Sequence, residues 1–289
     1  LNTVIGAQTT SGVDSVAKIE ALAVRVDAIL DTAAGSAPTT ALTEAEVAAR
    51  GGAGDGSGAT GAHGTVNLLA VSGAVAQALD ALTPAINAID AGKVQLLAAQ
   101  ASALASTANT VDQLSARITG AGEGLSYASQ SNYTVGGGGG AHSDLVTGGV
   151  TGISTLGGDV TLSGSPVVIT VSEAITTRGG DVLAQGVGGF VSTGVAISTR
   201  GDVTYSSGTY KDGGDITIGA TGNVALGELN SSGDSTAADA TAGAITVGGA
   251  HVAVSNITAT GQGAGAGGDV SLSATSAVTI AGTANTSGG

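Results

Sequence analysis

The chain contains 289 residues, 51 of them glycine, and carries a formal net charge of −14. It has no cysteine, which excludes a disulfide framework, a thiolate metal site and a cysteine nucleophile. Asp and Glu number 22 against 8 Lys and Arg, so a phosphate backbone would be repelled and nucleic acid is not expected as a partner. No apolar run reaches the ~18 residues of a membrane span.

The first part of the chain shows helical spacing of its apolar residues. From Val13 to Leu30 these residues recur at intervals that place one apolar stripe along a helix. Ser11 stands at the N-cap position, and Gly35 and Pro38 follow as stop signals. A short helical turn is predicted at residues 43–50, and the Gly-rich residues 51–64 are predicted to form a loop.

Helices are also predicted over residues 66–89, interrupted at Pro84, and over residues 94–118, before Gly120. Residues 1–135 are therefore interpreted as an Ala-rich helical region whose thin-sided helices suit close packing. The apolar stripe of this region is predicted to mediate assembly. Its residues are Ile19, Leu22, Val26, Ile29, Leu104, Val111 and Leu114.

A different pattern follows residues 136–144, which are predicted to be a linker because residues 136–140 are consecutive glycines. Beyond it a Gly-Gly-Asp-Val/Ile tetrapeptide recurs, once as Arg200-Gly201-Asp202-Val203, and Ala242-Gly243-Ala244-Ile245 is a degenerate copy. The third positions of successive copies are 22, 21, 13, 29 and 25 residues apart, which indicates a structural repeat. The aspartates at this position are Asp159, Asp181, Asp202, Asp215 and Asp269.

Each tetrapeptide is followed by strict alternation, such as Val160-Thr161-Leu162, which is typical of a half-buried strand. Two further short strands are predicted in most repeats. Three such strands cannot bury an inner face alone, whereas stacked copies can. Residues 145–289 are therefore predicted to form a right-handed, three-faced parallel β-helix of about six coils. The predicted fold of the whole chain is a helical region followed by a β-solenoid.

The unit G-G-D-[VI]-[TS]-[LI], followed by G-x-[VI]-x-[LVI] and a Gly-bounded I-T-x-T segment, resembles the repeats of large bacterial surface proteins, the filamentous-haemagglutinin-like adhesins. Residues 213–289 carry this likeness best, and it extends over residues 145–289. The resemblance implies an extracellular, right-handed β-helix at a bacterial cell surface. The secretion domain that the family carries near its N-terminus is not recognisable in residues 1–135.

The repeated aspartates allow two interpretations. In a solenoid they would stack ~5 Å apart, and a row of carboxylates with turn carbonyls suits Ca²⁺. Alternatively, each is a solvated turn residue whose side chain accepts backbone N–H groups. The nonapeptide calcium repeat G-G-x-G-x-D is absent from the chain, which favours the second interpretation.

Other residues suggest binding only weakly. Arg200-Gly201-Asp202 is an integrin-type tripeptide, but it is also one copy of the repeat. A row of outward hydroxyls either binds ice or glycans or simply suits an exposed strand position. The row comprises Thr161, Thr204, Thr217, Thr246 and Ser271. His63 and His142 lie in Gly-rich loops and are expected to be exposed, His251 begins a strand, and Tyr205 is expected in the core.

Catalysis is not expected. After residue 145 the only cations are Arg178, Arg200 and Lys211, and no nucleophile elbow or phosphate loop is present in the sequence. We expect a non-catalytic extracellular structural protein, either a surface adhesin or a self-assembling filament subunit. The alternative is a glycan-binding or polysaccharide-cleaving β-helix protein. No cofactor is expected, apart from possible calcium.

The expected partners are further copies of the chain, the continuation of a longer chain, or a surface glycan or host-cell receptor. The start at Leu1 is expected of a processed or excised piece, since a complete reading frame begins with Met. The last predicted coil ends at Gly289 without a cap. We expect that either the chain continues there or another subunit stacks on it.

Overall fold

A computed structural model describes residues 65–70, 72–77, 88–136, 150–204 and 210–289. Every helix or strand in these residues is a β-strand. The strands are β1 (Thr65–Ala70), β2 (Asp90–Ala98), β3 (Ser102–Leu104), β4 (Thr110–Ala121), β5 (Leu125–Ala128), β6 (Tyr133–Val135), β7 (Ile153–Leu156), β8 (Val160–Ser163), β9 (Val168–Val171), β10 (Ile175–Thr176), β11 (Val182–Val187), β12 (Gly189–Ser192), β13 (Ile197–Ser198), β14 (Ile216–Ala220), β15 (Val224–Asn230), β16 (Ile245–Thr258), β17 (Val270–Ile280) and β18 (Ala284–Asn285).

These strands form one sheet in which every strand pairing is parallel and joins segments at equivalent places in successive repeats. Three ladders of pairing run through it. The first ladder contains β3, β5, β8, β11, β14 and the starts of β16 and β17. The second passes through β4, β6, β9, β12, the start of β15, the middle of β16 and the end of β17. The third passes through the later part of β4, then β7, β10, β13, the ends of β15 and β16, and β18. This arrangement is compatible with a β-solenoid. We call one passage of the chain through the three ladders a rung.

The stacking predicted for the strands that follow the tetrapeptides is confirmed for most copies. Val182 pairs with Val160 on one side and with Ile216 on the other, and Ile245 pairs with Ile216 and Val270. Alternate residues of these strands point into one continuous apolar core. The core is filled mainly by Val, Ile, Leu and Ala, and it also contains the rings of Tyr127, Tyr133 and Phe190.

The copy at Arg200-Gly201-Asp202-Val203 is not a rung, and this part of the prediction is wrong. Because Val182 pairs directly with Ile216, no strand from residues 200–204 stands between β11 and β14. The intervals of 21 and 13 residues therefore belong to one longer rung with an insertion. Residues 145–289 contribute five strands to the first ladder, where about six coils were expected. Tyr205 lies outside the described residues.

The helices predicted over residues 66–89 and 94–118 are also wrong where the structure describes these residues, which form β1 to β4. The inward residues of β4 are Val111, Leu114, Ala116 and Ile118. The first interval, from Val111 to Leu114, is three residues long, and the strand passes from the second ladder to the third only after Leu114. This three-residue spacing imitates a helical period. The helix predicted near residues 13–30 and the turn at 43–50 lie outside the described residues.

The predicted linker does not separate two sheets. Strand β4 pairs with β6 before residues 137–149 and with β7 after them, so the described strands on both sides belong to one sheet. Residues 51–64 and 137–144 lie outside the described residues. No helix in the described part of the chain is long and apolar enough to cross a membrane.

Candidate functional site

The repeated aspartates link successive rungs through their side chains. Oδ1 of Asp159 accepts the backbone N–H of Asp181 at 2.9 Å, and Oδ1 of Asp181 accepts the N–H of Asp215 at 2.7 Å. Oδ1 of Asp215 accepts the N–H of Ala244 at 2.7 Å, so the degenerate copy joins the series as a donor. Each carboxylate thus satisfies a backbone donor at the corner where the next rung begins.

Stacking of the carboxylates affects Asp181 most. Its partial burial raises its pKa, the hydrogen bond from Asp215 lowers it, and the charges of Asp159 and Asp215 raise it again, with a net upward shift. Among the described residues, no group of three or more His, Asp or Glu side chains is placed to hold a metal ion. Four of the five predicted calcium positions occupy equivalent places in successive rungs, and Asp202 lies outside this row. The four are Asp159, Asp181, Asp215 and Asp269.

The glycine before each repeated aspartate permits the rungs to approach closely. A Cβ at Gly180 would lie closer than 3.0 Å to the carbonyl oxygen of Gly158, and a Cβ at Gly214 would meet the carbonyl of Gly180 in the same way. The same relation continues to Gly243 and Gly268. The close approach of successive rungs therefore requires glycine at the second position of the motif.

A buried hydroxyl, whose role was not predicted from the sequence, completes this corner. The Oγ1 of Thr155 donates to the carbonyl of Gly158 at 2.5 Å, and Thr177 and Thr199 donate in the same way to Gly180 and Gly214. Ser231 donates to Gly243 at 2.8 Å. The available signal was the recurrence of Thr or Ser as the third residue of the third-ladder strand, an inward position where an aliphatic residue is expected.

Three successive rungs carry insertions at this same corner, between the third and first ladders. We call their described residues, 202–204, 210–212, 234–241 and 262–266, the wing. Asp234 Oδ2 accepts the N–H of Val203 at 2.8 Å, and the N–H of Asp234 donates to the carbonyl of Lys211 at 2.8 Å. Gln262 N–H donates to the carbonyl of Ala240 at 2.8 Å. The three loops therefore stack on one another beside the rungs.

The cations of residues 145–289 lie in the wing or contact it. Arg178, which adopts a left-handed backbone conformation with φ 56°, forms an ion pair with Asp202 at 3.1 Å. Lys211 pairs with Asp239 at 2.8 Å, and Arg200 donates to the hydroxyl of Ser235. The hydrogen bond and charge of Asp239 raise the pKa of Lys211. The charged groups of the wing are thus engaged with one another.

Two wing carboxyls are held in the ionised form. Burial alone would raise the pKa of Asp234, but hydrogen bonds from Thr236 and Val203 and the charge of Arg200 lower it below its ordinary value. Desolvation likewise acts to raise the pKa of Asp202, and hydrogen bonds from Thr204 together with the charge of Arg178 lower it. Because a general acid in glycoside cleavage needs a raised pKa, neither carboxyl suits that role.

Tyr210 anchors the wing to earlier rungs. Cβ atoms built at Gly157 and Gly122, which both have positive φ, would lie closer than 3.0 Å to its ring and its hydroxyl oxygen, respectively. Tyr210 therefore occupies the space that side chains at Gly157 and Gly122 would need.

The remaining predicted residues are dispersed. In the integrin-type tripeptide Gly201 is buried, and the Asp202 carboxylate is bonded to Arg178 and Thr204. Thr161, Thr217, Thr246 and Ser271 do share one ladder, but Leu183 interrupts the row and Thr204 lies in the wing. His251 is exposed in β16, whereas His63 and His142 lie outside the described residues.

The predicted assembly residues divide in the same way. Leu104, Val111 and Leu114 are fully buried in the core strands β3 and β4, where another subunit cannot reach them. Ile19, Leu22, Val26 and Ile29 lie outside the described residues.

The site therefore consists of a polar corner, used to hold the rungs together, and a charged wing that projects from it. Comparison with known proteins found no matching family model, no matching curated protein and no matching solved structure.

Proposed function

We propose that this chain is a non-catalytic, extracellular structural protein of the bacterial cell surface, built as a right-handed three-faced β-helix. It acts as an adhesin or as a filament subunit. The observation that carries the proposal is the use made of the repeated polar residues. Asp181, Thr177 and their counterparts form hydrogen bonds to the backbone of the same or the next rung, so the repeated polar side chains serve stacking.

In this proposal the rungs form an elongated scaffold, and the wing presents binding residues to a partner. Loops that project from a rigid scaffold are where binding residues concentrate in repeat proteins. The wing presents Lys211, Asp239 and the ring of Tyr210, and Arg178 pairs with its Asp202. This combination of charges and one aromatic ring suits a surface glycan or a host-cell receptor. The adhesin form of the proposal assigns partner contact to this corner.

Electron microscopy of the purified chain, with and without Ca²⁺, tests the filament form. Ordered filaments with an axial repeat support a structural polymer. Short isolated rods contradict self-assembly and leave the adhesin form, which is tested by binding of protein-coated beads to cells and to glycan arrays. Failure in both experiments, or turnover of a polysaccharide by the chain, overturns the proposal.

A wing variant and a matched control sharpen the adhesion test. Lys211→Ala removes the ion pair with Asp239, whereas Arg117→Ala removes an exposed cation of β4 in the third ladder. We expect the first substitution to weaken bead binding and the second to leave it unchanged. Equal loss in both variants contradicts a role for the wing.

Calcium is tested separately. Because Asp159, Asp181 and Asp215 accept backbone N–H groups and no three-carboxylate cluster is present among the described residues, we expect chelation to leave the melting temperature unchanged. A lowered melting temperature in chelator, restored by Ca²⁺, contradicts the structural interpretation of the aspartate row.

A further inference from the structure

Two tyrosines of one rung are buried without a hydrogen-bond partner. Tyr127 of β5 is 1% exposed and Tyr133 of β6 is 2% exposed, and neither Oη atom forms a hydrogen bond. Their rings meet edge to face, with centroids 5.0 Å apart and planes inclined by 75°. Buried tyrosine hydroxyls usually find a partner, so this pair requires an explanation.

The neighbouring rungs offer these hydroxyls only apolar side chains at equivalent positions. Tyr127 stands between Leu104 and Leu162 in the first ladder, and Tyr133 stands beside Ile169 in the second. Both tyrosines therefore point into the interior at positions where the next rungs carry aliphatic residues.

A column of buried polar residues runs along the adjoining corner. Gln77 and Asn109 bond to each other through their side-chain amides, at 2.7 and 3.1 Å. Asn109 Nδ2 also donates to the carbonyls of Leu104 and Ala128, and its Oδ1 accepts the N–H of Ile89. The next member along the corner is Ser129, whose hydroxyl bonds to the carbonyl of Asn109 at 2.9 Å.

Tyr127 of β5 and Tyr133 of β6 flank this corner, since Ser129 lies between the two strands. Burial raises the pKa of Tyr127, and the nearby hydroxyl of Ser129 partly offsets the rise although it makes no hydrogen bond of normal geometry to Oη. Burial and the proximity of Tyr127 raise the pKa of Tyr133. The Ser129 hydroxyl is satisfied by Asn109 and Ser131, whereas the two buried phenols beside this corner have no partner.

We propose that one internal water molecule binds beside the corner formed by Gln77, Asn109 and Ser129 and bridges the hydroxyls of Tyr127 and Tyr133. A water needs two to four polar partners, and the two phenols, whose rings are in edge-to-face contact, supply two of them. Leaving two buried hydroxyls without partners would cost more than ordering one water. Water is the smallest ligand that can bond to both phenols, and both rings belong to the apolar core.

The test begins with a high-resolution crystal structure of the full 289-residue chain. We expect an ordered water within ~2.6–3.2 Å of both Oη atoms. An ordered interior with no electron density at that position overturns the proposal. This measurement does not depend on any variant folding.

Tyr127→Phe and Tyr133→Phe provide a second test, with Tyr210→Phe as the control outside the core. If each phenol holds the same water, each core variant should raise the unfolded-to-folded ratio about fivefold. The double variant should raise it by less than the product of the two, because one water serves both hydroxyls. Core variants as stable as the parent chain, or more stable, show that the hydroxyls have no partner and overturn the proposal.

Discussion

Oδ1 of Asp181 accepts the backbone N–H of Asp215 at 2.7 Å, across 34 positions of sequence. The two residues are direct neighbours in the stack, although Asp202 lies between them in the chain and carries the same motif. The bond shows that the copy at Asp215, and not the copy at Asp202, follows the copy at Asp181 in the stack.

The first prediction concerns this bond. Asp181→Ala should lower the free energy of unfolding by about 1 kcal/mol, because the N–H of Asp215 loses its acceptor at an exposed corner. Asp181→Asn keeps an acceptor oxygen and should recover most of the loss. Asp269→Ala is the matched control, since its carboxylate accepts no hydrogen bond from the described residues. Denaturant unfolding measures all three, and equal losses at both positions would contradict the interpretation.

The second prediction concerns the close stacking of glycines. A Cβ at Gly214 would lie closer than 3.0 Å to the carbonyl oxygen of Gly180, so Gly214→Ala must push two rungs apart. We expect a loss of about 1–3 kcal/mol, or failure to fold. Gly219→Ala is the control, because a Cβ there meets no atom within 4 Å. Thermal unfolding should separate the two variants, and similar melting temperatures would refute the argument.

The third prediction concerns the buried hydroxyls. Thr177→Val keeps the shape of the side chain and removes the hydrogen bond to the carbonyl of Gly180. The carbonyl of Gly180 then loses this donor, and the free energy of unfolding should fall by about 1–2 kcal/mol. Thr176→Val, on the outward side of the same strand, should be neutral or slightly stabilising. A neutral Thr177→Val variant would show that the hydroxyl contributes nothing to the corner.

The fourth prediction concerns acid. Since the pKa values of Asp202 and Asp234 are lowered in the folded chain, their contribution to stability is complete above the ordinary carboxyl pKa of ~3.9. It is lost as the pH falls through the lowered pKa values. Hydrogen-exchange protection of the Val203 and Thr236 amides, which donate to Asp234, should therefore fall in acid before that of the core strands.

Asp234→Asn provides the control for the acid prediction. It removes the titrating carboxyl, so protection of these amides should be lower at neutral pH and should change little as acid is added. Wild-type protection that stays constant through the same range, or that falls together with the core, would show that the wing is not held by these carboxylates.

Much of the second half of the fold was accessible from its sequence. The alternation after each tetrapeptide predicted strands such as β8 and β14, because inward and outward residues in a strand differ in polarity. The aspartates were also correctly recognised as equivalent, apart from Asp202. Helices were predicted for residues now found in β2 and β4 because some consecutive buried residues there are three apart, as in Val111 and Leu114.

The wing was not predicted. Its signal was the irregular spacing of 13 to 29 residues between copies, which was interpreted as variable coil length. An insertion at one corner and a longer coil have the same local pattern. The Arg178–Asp202 pair and the cover that Tyr210 provides over Gly157 depend on contacts between segments distant in sequence.

The sequence by itself determined the local conformation wherever period-two alternation and Gly-Gly turns recur, because each strand's pattern depends on its own residues. Only the tertiary structure decided which copies pair. Val203 and Val182 follow nearly identical motifs, yet only Val182 stacks on its neighbours. Pairing joins segments that are distant in sequence. It depends on how closely the rungs can pack and on whether every backbone donor finds an acceptor, and both are set by the tertiary structure.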